Sequence, residues 1–299
     1  MANTTFGKGT TRIGFIGLGL MGSRLARRLH TQGWKVGVWN RSPEPAQALA
    51  HEGLKATASI AELAAESEVL LSCLANDAAV EAVYLGEGGV FASVKPNTIV
   101  IEMSTISAEL SVRLHAEAVR RGVQVLDVPI SGSTPAVDAG TITLLAGGEQ
   151  KSFDQCVPIF ESLAKQWFLM GPGSSGVRMK LVVNLLLGVN MHAIAEAISF
   201  GEHLRLERGV LLDVLSKTAV IAPAMVGKFQ KIKENDYAPQ FPLRLMTKDM
   251  NLVGDAARAA GAELPVAGVV QSTLNAALPG SGDLDLSAIT PFIAALKKS

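Results

Sequence analysis

A lysine and an amide stand one helical turn apart in Gly176-Val177-Arg178-Met179-Lys180-Leu181-Val182-Val183-Asn184, at the head of an apolar run that continues to Phe200. Residues at i and i+4 lie on one face of a helix. Gly176, Lys180, Asn184 and Gly188 therefore form a stripe, in which the glycines are expected to leave room beside the lysine and the amide. An ammonium on an apolar helix must reach water or be held by polar partners. Taken alone, Lys180 reads as a snorkelling side chain. Beside a carbonyl it is a proton donor, and Asn184 can orient it or the oxygen it serves.

The partner for such a lysine is signalled at the other end of the chain. Ile13-Gly14-Phe15-Ile16-Gly17-Leu18-Gly19-Leu20-Met21-Gly22 reads as strand, tight turn and helix. Gly17 permits the turn, Gly19 lets a pyrophosphate approach the backbone, and Gly22 allows helix and strand to pack closely. The backbone of Leu18, Leu20 and Met21 completes the loop, and the N–H groups at the start of the helix face the phosphates. The glycines follow the first strand and open an amphipathic helix, which is the context a dinucleotide site requires.

Three further groups of residues extend the site. The second strand ends Val38-Trp39-Asn40-Arg41-Ser42, where an NAD-selective site usually carries an acid for the ribose hydroxyls. Arg41, flanked by the small donors Asn40 and Ser42, suits a 2′-phosphate instead, so NADP (as NADPH) is favoured and NAD is the alternative. Leu74-Ala75-Asn76 and Ser104-Thr105 each follow an apolar strand, at the sheet edge where such folds bind ligands. Pro129-Ile130-Ser131-Gly132-Ser133 does the same, and the hydroxyls of Ser131 and Ser133 with the bare backbone of Gly132 can receive a carboxylate.

These residues need an alternating scaffold to bring them together. Runs at 12–16, 35–39, 69–73, 98–103, 124–128 and 142–146 read as strands, several of them almost continuously apolar, as in strands covered on both faces. Ser42-Pro43 reads as an N-cap with proline in the first turn, and Ser59-Ile60-Ala61-Glu62 as a capping box. The alternation predicts an α/β Rossmann domain with a doubly wound, mostly parallel sheet over 1–173. After Gly171-Pro172-Gly173 no strand pattern follows. Helices are expected at about 176–207, 209–218, 222–235, 244–260, 265–278 and 286–297, giving an all-helical domain over 174–299.

Composition narrows the function. The chain has 299 residues, 48% of them hydrophobic, and its 27 basic and 27 acidic side chains cancel. Zero net charge gives no reason to expect nucleic acid, an acidic membrane surface or a polyanionic substrate. The five histidines form no HxxxH or HxH group, and no metal site is expected. Cys73 and Cys156 lie far apart, which points to a reducing, cytoplasmic setting. Asn3-Thr4-Thr5 fits the glycosylation triplet, but the polar first ten residues show no secretion signal. Residues 181–200 are apolar enough to raise a membrane span, yet Asn184, Asn190, His192 and Glu196 interrupt them and favour a buried helix.

The ordered motifs Gly17-x-Gly19-x-x-Gly22, Pro129-x-Ser131-Gly132, Gly176-x-x-x-Lys180-x-x-x-Asn184 and Lys248-Asp249 resemble those of the β-hydroxyacid dehydrogenase family over nearly the whole chain from Arg12. Members include 3-hydroxyisobutyrate dehydrogenases and glyoxylate/succinic semialdehyde reductases. The resemblance implies that Lys180 is catalytic with Asn184 beside it, that Ser131 and Gly132 hold a substrate carboxylate, and that Thr105 and Lys248 touch the cofactor. It also implies a long interdomain helix, a helical domain over 174–299 for substrate binding and oligomerisation, and a homodimer or homotetramer. Ser131-Gly132-Ser133-Thr134-Pro135-Ala136 and Phe241-Pro242-Leu243 are similar to the semialdehyde reductase branch, in which Phe241 and Asp249 would close over the substrate. Arg178-Met179 departs from the smaller or acidic residues common before that lysine. The expected function is NADPH-dependent reduction of small carboxylate-bearing aldehydes. The alternatives are an NAD-dependent 3-hydroxyacid dehydrogenase working oxidatively and a nucleotide-binding scaffold without turnover.

Overall fold

A computed structural model describes residues 6–296, so Asn3-Thr4-Thr5 and the last residue of the expected 286–297 helix lie outside the described residues. The chain divides into two compact units, with the boundary after Lys180.

The first unit is built on parallel strands β1 (Arg12–Ile16), β2 (Lys35–Trp39), β3 (Lys55–Ala56), β4 (Val69–Ser72), β5 (Ile99–Glu102) and β6 (Gln124–Asp127). They form a six-stranded sheet in the order β3-β2-β1-β4-β5-β6. Helices α1 (Gly22–Thr31), α2 (Glu44–His51), α3 (Ile60–Glu66), α4 (Asp77–Leu85), α5 (Val90–Ser93) and α6 (Ala108–Arg120) are interleaved with these strands. The apolar strands are buried as their sequences demand: every residue of β4 and β5 is buried. The strand order reverses between β1 and β4, which pair directly, and that switch point is where a doubly wound sheet opens a ligand crevice.

Three expectations need correction. The 142–146 run is a strand, β8 (Ile142–Ala146), but it belongs to a second, three-stranded sheet. There it pairs antiparallel with β7 (Ile130–Ser131) and parallel with β9 (Ala164–Leu169). β7 is a two-residue strand inside the loop expected after β6, and β9 keeps Lys165 and Gln166 exposed, so neither has a long apolar run. Helix α2 starts at Glu44 with Pro43 in the cap position, and no side chain caps it. Ser42 stays in the preceding turn, where its carbonyl accepts the Asn40 Nδ2–H at 2.9 Å. The capping box at Ser59 does form: Ser59 Oγ accepts the Glu62 N–H at 3.1 Å and Glu62 reaches back to the Ala58 N–H at 2.9 Å. α7 (Thr134–Ala139) and α8 (Gln150–Leu163) complete the first unit before α9 (Ser175–His203) begins.

Beyond Lys180 the described residues form the rest of α9, α10 (Arg208–Leu215), α11 (Pro223–Glu234), α12 (Leu243–Ala260), α13 (Pro265–Ser281) and α14 (Ile289–Ala294), with no named strand. The last expected helix is shortened because Leu286–Ala288 is a 3-10 turn, capped by the Asp285 side chain on the Ser287 N–H. Helix α9 is long and apolar enough to cross a membrane by length and composition alone. Its Met191, Ile194, Ala195 and Ile198 are buried in the helical core with Leu243, Met246 and Met250.

Candidate active site

The glycine turn after β1 has the geometry of a phosphate cradle. Gly17 sits at φ +88°, in the left-handed region, and a Cβ there would lie 2.5 Å from the Cys73 carbonyl oxygen. A Cβ on Gly19 would meet nothing within 4 Å, so the backbone lies open at the position a diphosphate must approach. Gly22 serves a partly different purpose from the one expected. Its Cβ would stand 1.9 Å from the Gly17 carbonyl oxygen, so it folds the turn onto itself, and the strand contact, Phe15 Cε1 at 3.2 Å, is secondary. The first N–H groups of α1 have no partner within the helix. These features fit a dinucleotide diphosphate across Leu18, Gly19, Leu20 and Met21.

Asn40 is part of this turn. Its Oδ1 accepts the Leu18 N–H at 2.9 Å while its Nδ2 donates to the Ser42 carbonyl, so the amide locks the glycine loop to the end of β2. Arg41 is exposed and makes no ion pair among the described residues. That leaves a free guanidinium beside the loop, with the rigid fork of donors that suits a phosphate.

Two loops leave β4 and β5 side by side. The Leu74 N–H donates to Ser104 Oγ at 2.7 Å, and the Ser107 N–H donates to Asp77 Oδ1 at 3.0 Å, so the loops are stapled at two points with Ala75 and Thr105 between them. Asn76 is occupied as the N-cap of α4, accepting the Ala79 N–H at 2.9 Å. Beneath the staple lies Glu102, fully buried, which accepts the Ser104 N–H on both oxygens at 3.1 and 2.9 Å. Burial, with a smaller push from the nearby Asp127, brings its carboxyl up to about 7 against the opposing pull of these donors.

The loop expected to receive a carboxylate is anchored by strand pairing. Ser131 lies opposite Thr143, and Gly132 adopts φ +150° with a hypothetical Cβ 2.7 Å from Ile142 Cγ2, so only glycine fits. Ser133 precedes α7 and makes no side-chain cap bond.

The start of α9 is held by Asp127. Its carboxylate accepts the Ser174 N–H and the Val177 N–H, each at 2.8 Å, and His115 Nε2 at 2.8 Å. Gly176 does not leave room beside the lysine as expected. A Cβ there would be 2.2 Å from the Leu145 carbonyl oxygen and 2.6 Å from that of Asp127, so this glycine packs the helix against the strand ends. Gly188 likewise fits against Met250 Sδ, 2.7 Å from where its Cβ would be. Lys180 follows one turn after Gly176 and is buried, with 9% relative exposure.

In the helical unit, fully buried Asn184 donates from Nδ2 to Asp249 Oδ2 at 2.7 Å. Its Oδ1 is buried without a hydrogen-bond donor among the described residues. Asp249 also pairs with Lys248 Nζ at 2.9 Å. The Asp249 carboxylate thus braces the Asn184 amide, and the Lys248 ammonium lies against that brace. Half-buried Phe241 is fixed through its backbone: Asp285 Oδ2 accepts the Gln240 and Phe241 N–H groups at 3.0 and 3.2 Å. Burial works to raise the Asp285 carboxyl, but the Lys228 ammonium at 2.8 Å outweighs it and holds the group below its ordinary range.

Sequence reasoning missed Glu102, Asp127 and Asp285. For the first two there was a signal: each is an acid closing an otherwise apolar strand, in Ile99-Val100-Ile101-Glu102 and Gln124-Val125-Leu126-Asp127.

Comparison with known proteins agrees with this geometry. Residues 12–171 match the family described as the NAD binding domain of 6-phosphogluconate dehydrogenase. Residues 174–293 match the NAD-binding region of NADP-dependent 3-hydroxyisobutyrate dehydrogenase. The chain is 32% identical to glyoxylate/succinic semialdehyde reductase 1 of Arabidopsis thaliana, covering 93% of this chain and 96% of that protein. It is also 32% identical to an NAD-dependent L-serine dehydrogenase of Pseudomonas aeruginosa, over 93% and 96% of the two chains. Among solved structures, 3-hydroxyisobutyrate dehydrogenase of Mycobacterium tuberculosis with L-serine matches with a TM-score of 0.87 at 30% identity, covering 95% of this chain and 99% of that one.

Proposed function

This chain belongs to the β-hydroxyacid dehydrogenase family of NAD(P)-dependent oxidoreductases, and on that premise we propose that it reduces small carboxylate-bearing aldehydes of the glyoxylate or succinic semialdehyde type with NADPH. The observation that carries this reading is the pair on α9: buried Lys180 with Asn184 one turn on, its amide fixed by Asp249 and its Oδ1 left to accept. An acceptor facing the same stripe as an ammonium is suited to orienting a proton donor.

Each residue has a separate task. In reduction the Lys180 ammonium donates a proton to the carbonyl oxygen; in the reverse direction neutral Lys180 accepts the hydroxyl proton. A bound nicotinamide supplies or receives the hydride. Asn184 orients Lys180 or the substrate oxygen. Ser131, Gly132 and Ser133 hold the substrate carboxylate, and Phe241 closes over its carbon chain. Asp249 holds Asn184 and, with Phe241, closes over the substrate. The N–H groups from Gly17 to Gly22 hold the diphosphate, Asn40 sets that loop, and Arg41 with Ser42 takes the 2′-phosphate. Leu74, Ala75, Asn76 and Thr105 line the cofactor from the neighbouring loops, and Lys248 is a further cofactor contact. The exposed apolar positions Val182, Leu186 and Phe200 along α9, with Leu204 just beyond its end, support a homo-oligomer, in a cytoplasmic setting consistent with two free cysteines.

The test is a screen of glyoxylate, succinic semialdehyde, methylmalonate semialdehyde and tartronate semialdehyde with NADPH and NADH. Faster consumption of NADPH with at least one of them supports the reading. Preferential oxidation of a 3-hydroxy acid with NAD would favour the dehydrogenase alternative, and nucleotide binding without any turnover would favour the scaffold.

A further inference from the structure

The buried carboxylate of Glu102 takes no part in the chemistry above, yet an unusual set of donors converges on it. The Ser104 N–H donates to both of its oxygens, and the Ser104 hydroxyl donates to Oε1. From the neighbouring strand the Ser72 hydroxyl donates to the same oxygen at 3.1 Å, and the Tyr84 hydroxyl, 2.6 Å from Ser72 Oγ, completes a relay whose protons all point at the carboxylate. The Ser104 hydroxyl oxygen in turn accepts the Leu74 N–H. One carboxylate therefore sits under both loops that meet the cofactor in the proposed reading.

We propose that Glu102 is a positioning residue: its ionised carboxylate holds the Leu74-Ala75-Asn76 and Ser104-Thr105 loops in the arrangement that receives the cofactor, and proton uptake releases them. A carboxylate can accept all of these bonds, whereas a carboxylic acid carries a proton of its own on one oxygen and must turn it toward a group that is already a donor. The first bonds to suffer are those to Ser104, and with them the link to Leu74. Among the described residues, the titratable groups facing Glu102 are Tyr84 from α4 and Asp127 from β6, the latter its register partner across the sheet, with His115 from α6 behind Asp127. Among the described residues no cation pairs with Glu102, so its charge rests on hydrogen bonds alone while Asp127 opposes it. Burial and that opposition bring its titration to about 7, within the range of ordinary cytoplasmic and assay pH.

The inference rests on the reading that these loops meet the cofactor, and the test uses binding so that the two can fail separately. NADPH and NADH are titrated by fluorescence against the full chain between pH 6 and pH 8. NADH is included because the 2′-phosphate of NADPH itself titrates in this range. If only the ionised form is competent, Kd for both nucleotides rises about tenfold from pH 8 to pH 6, following the loss of the competent fraction. Glu102→Gln carries an amide that mimics the protonated state, so it should bind weakly at every pH with a flat profile. Ser104→Ala removes the link to Leu74 and keeps the carboxylate; it should weaken binding at pH 8 with a wild-type melting temperature, and it serves as the test if Glu102→Gln does not fold. A flat wild-type NADH profile, or wild-type affinity at pH 8 in either folded variant, overturns the inference alone. Failure of the wild type to bind either nucleotide at any pH overturns both it and the cofactor reading. Normal binding without turnover of any aldehyde leaves the inference standing and removes only the proposed reaction.

Discussion

The sheet edge of the first unit and the α9–α12 pairing of the second reach their functional geometry by opposite means. In the proposed reading the working atoms around Gly17, Gly19 and Gly132 are backbone groups; Asn40 holds the glycine loop, and Asp77 and Glu102 hold the backbone of the neighbouring loop after β5. In the helical unit the working atoms are on side chains: Asn184 is braced by Asp249, and Asp249 by Lys248. Recognition by backbone tolerates many side chains but few added atoms. Recognition by side chains tolerates backbone variation but depends on each partner. Substitutions should therefore fail in different ways in the two regions.

The largest effect on binding is expected where an added atom must displace backbone. Gly22→Val would push into the Gly17 carbonyl, where even a Cβ stands at 1.9 Å. Such overpacking must displace the backbone of the turn itself, so NADPH Kd should rise by roughly 100-fold, about 3 kcal/mol of binding. Isothermal titration with circular dichroism to verify folding would measure it; unchanged affinity in the folded variant would show that the turn is not the phosphate cradle. Arg41→Ala removes a side chain and leaves the backbone alone. NADPH binding should weaken by about 1.5–3 kcal/mol, the worth of a hydrogen bond to a charged group, while NADH binding stays nearly constant. Equal losses for both would remove the 2′-phosphate assignment. The smallest effect is expected at Ser131→Ala, which should raise KM for a carboxylate-bearing aldehyde about tenfold and hardly change that for a neutral aldehyde of similar size. An identical response to both would end the role of Ser131 in reading the carboxylate.

The same contrast explains what could be read before the structure. Backbone recognition leaves its mark as glycine at fixed spacing next to an apolar strand, so Gly17, Gly19, Gly22 and Gly132 were legible, as was the alternation that predicts the doubly wound sheet. Lys180 and Asn184 were legible because a polar pair at i and i+4 interrupts an apolar helix. The supports were not. Glu102 works through Ser72 on β4 and Ser104 in its own loop, and Asp127 through Ser174 and Val177 some fifty positions away. Such bonds join segments that only the strand order brings together. Gly176 and Gly188 were assigned the wrong purpose for a related reason: the space they vacate is filled by strand carbonyls and Met250, which no helical repeat reveals. β7 and β9 escaped because a two-residue strand has no period and the exposed residues of β9 mask its pairing.

The division between a binding edge and a chemical helix is tested most directly on Lys180→Ala, by measuring NADPH binding and single-turnover reduction of glyoxylate or succinic semialdehyde on the same preparation. NADPH Kd should stay within about twofold of wild type, because the phosphates are held by the turn after β1. The reduction rate should fall by roughly 10²–10⁴, the range for loss of a general acid–base group. A near-normal rate in the folded variant would contradict the catalytic role of Lys180.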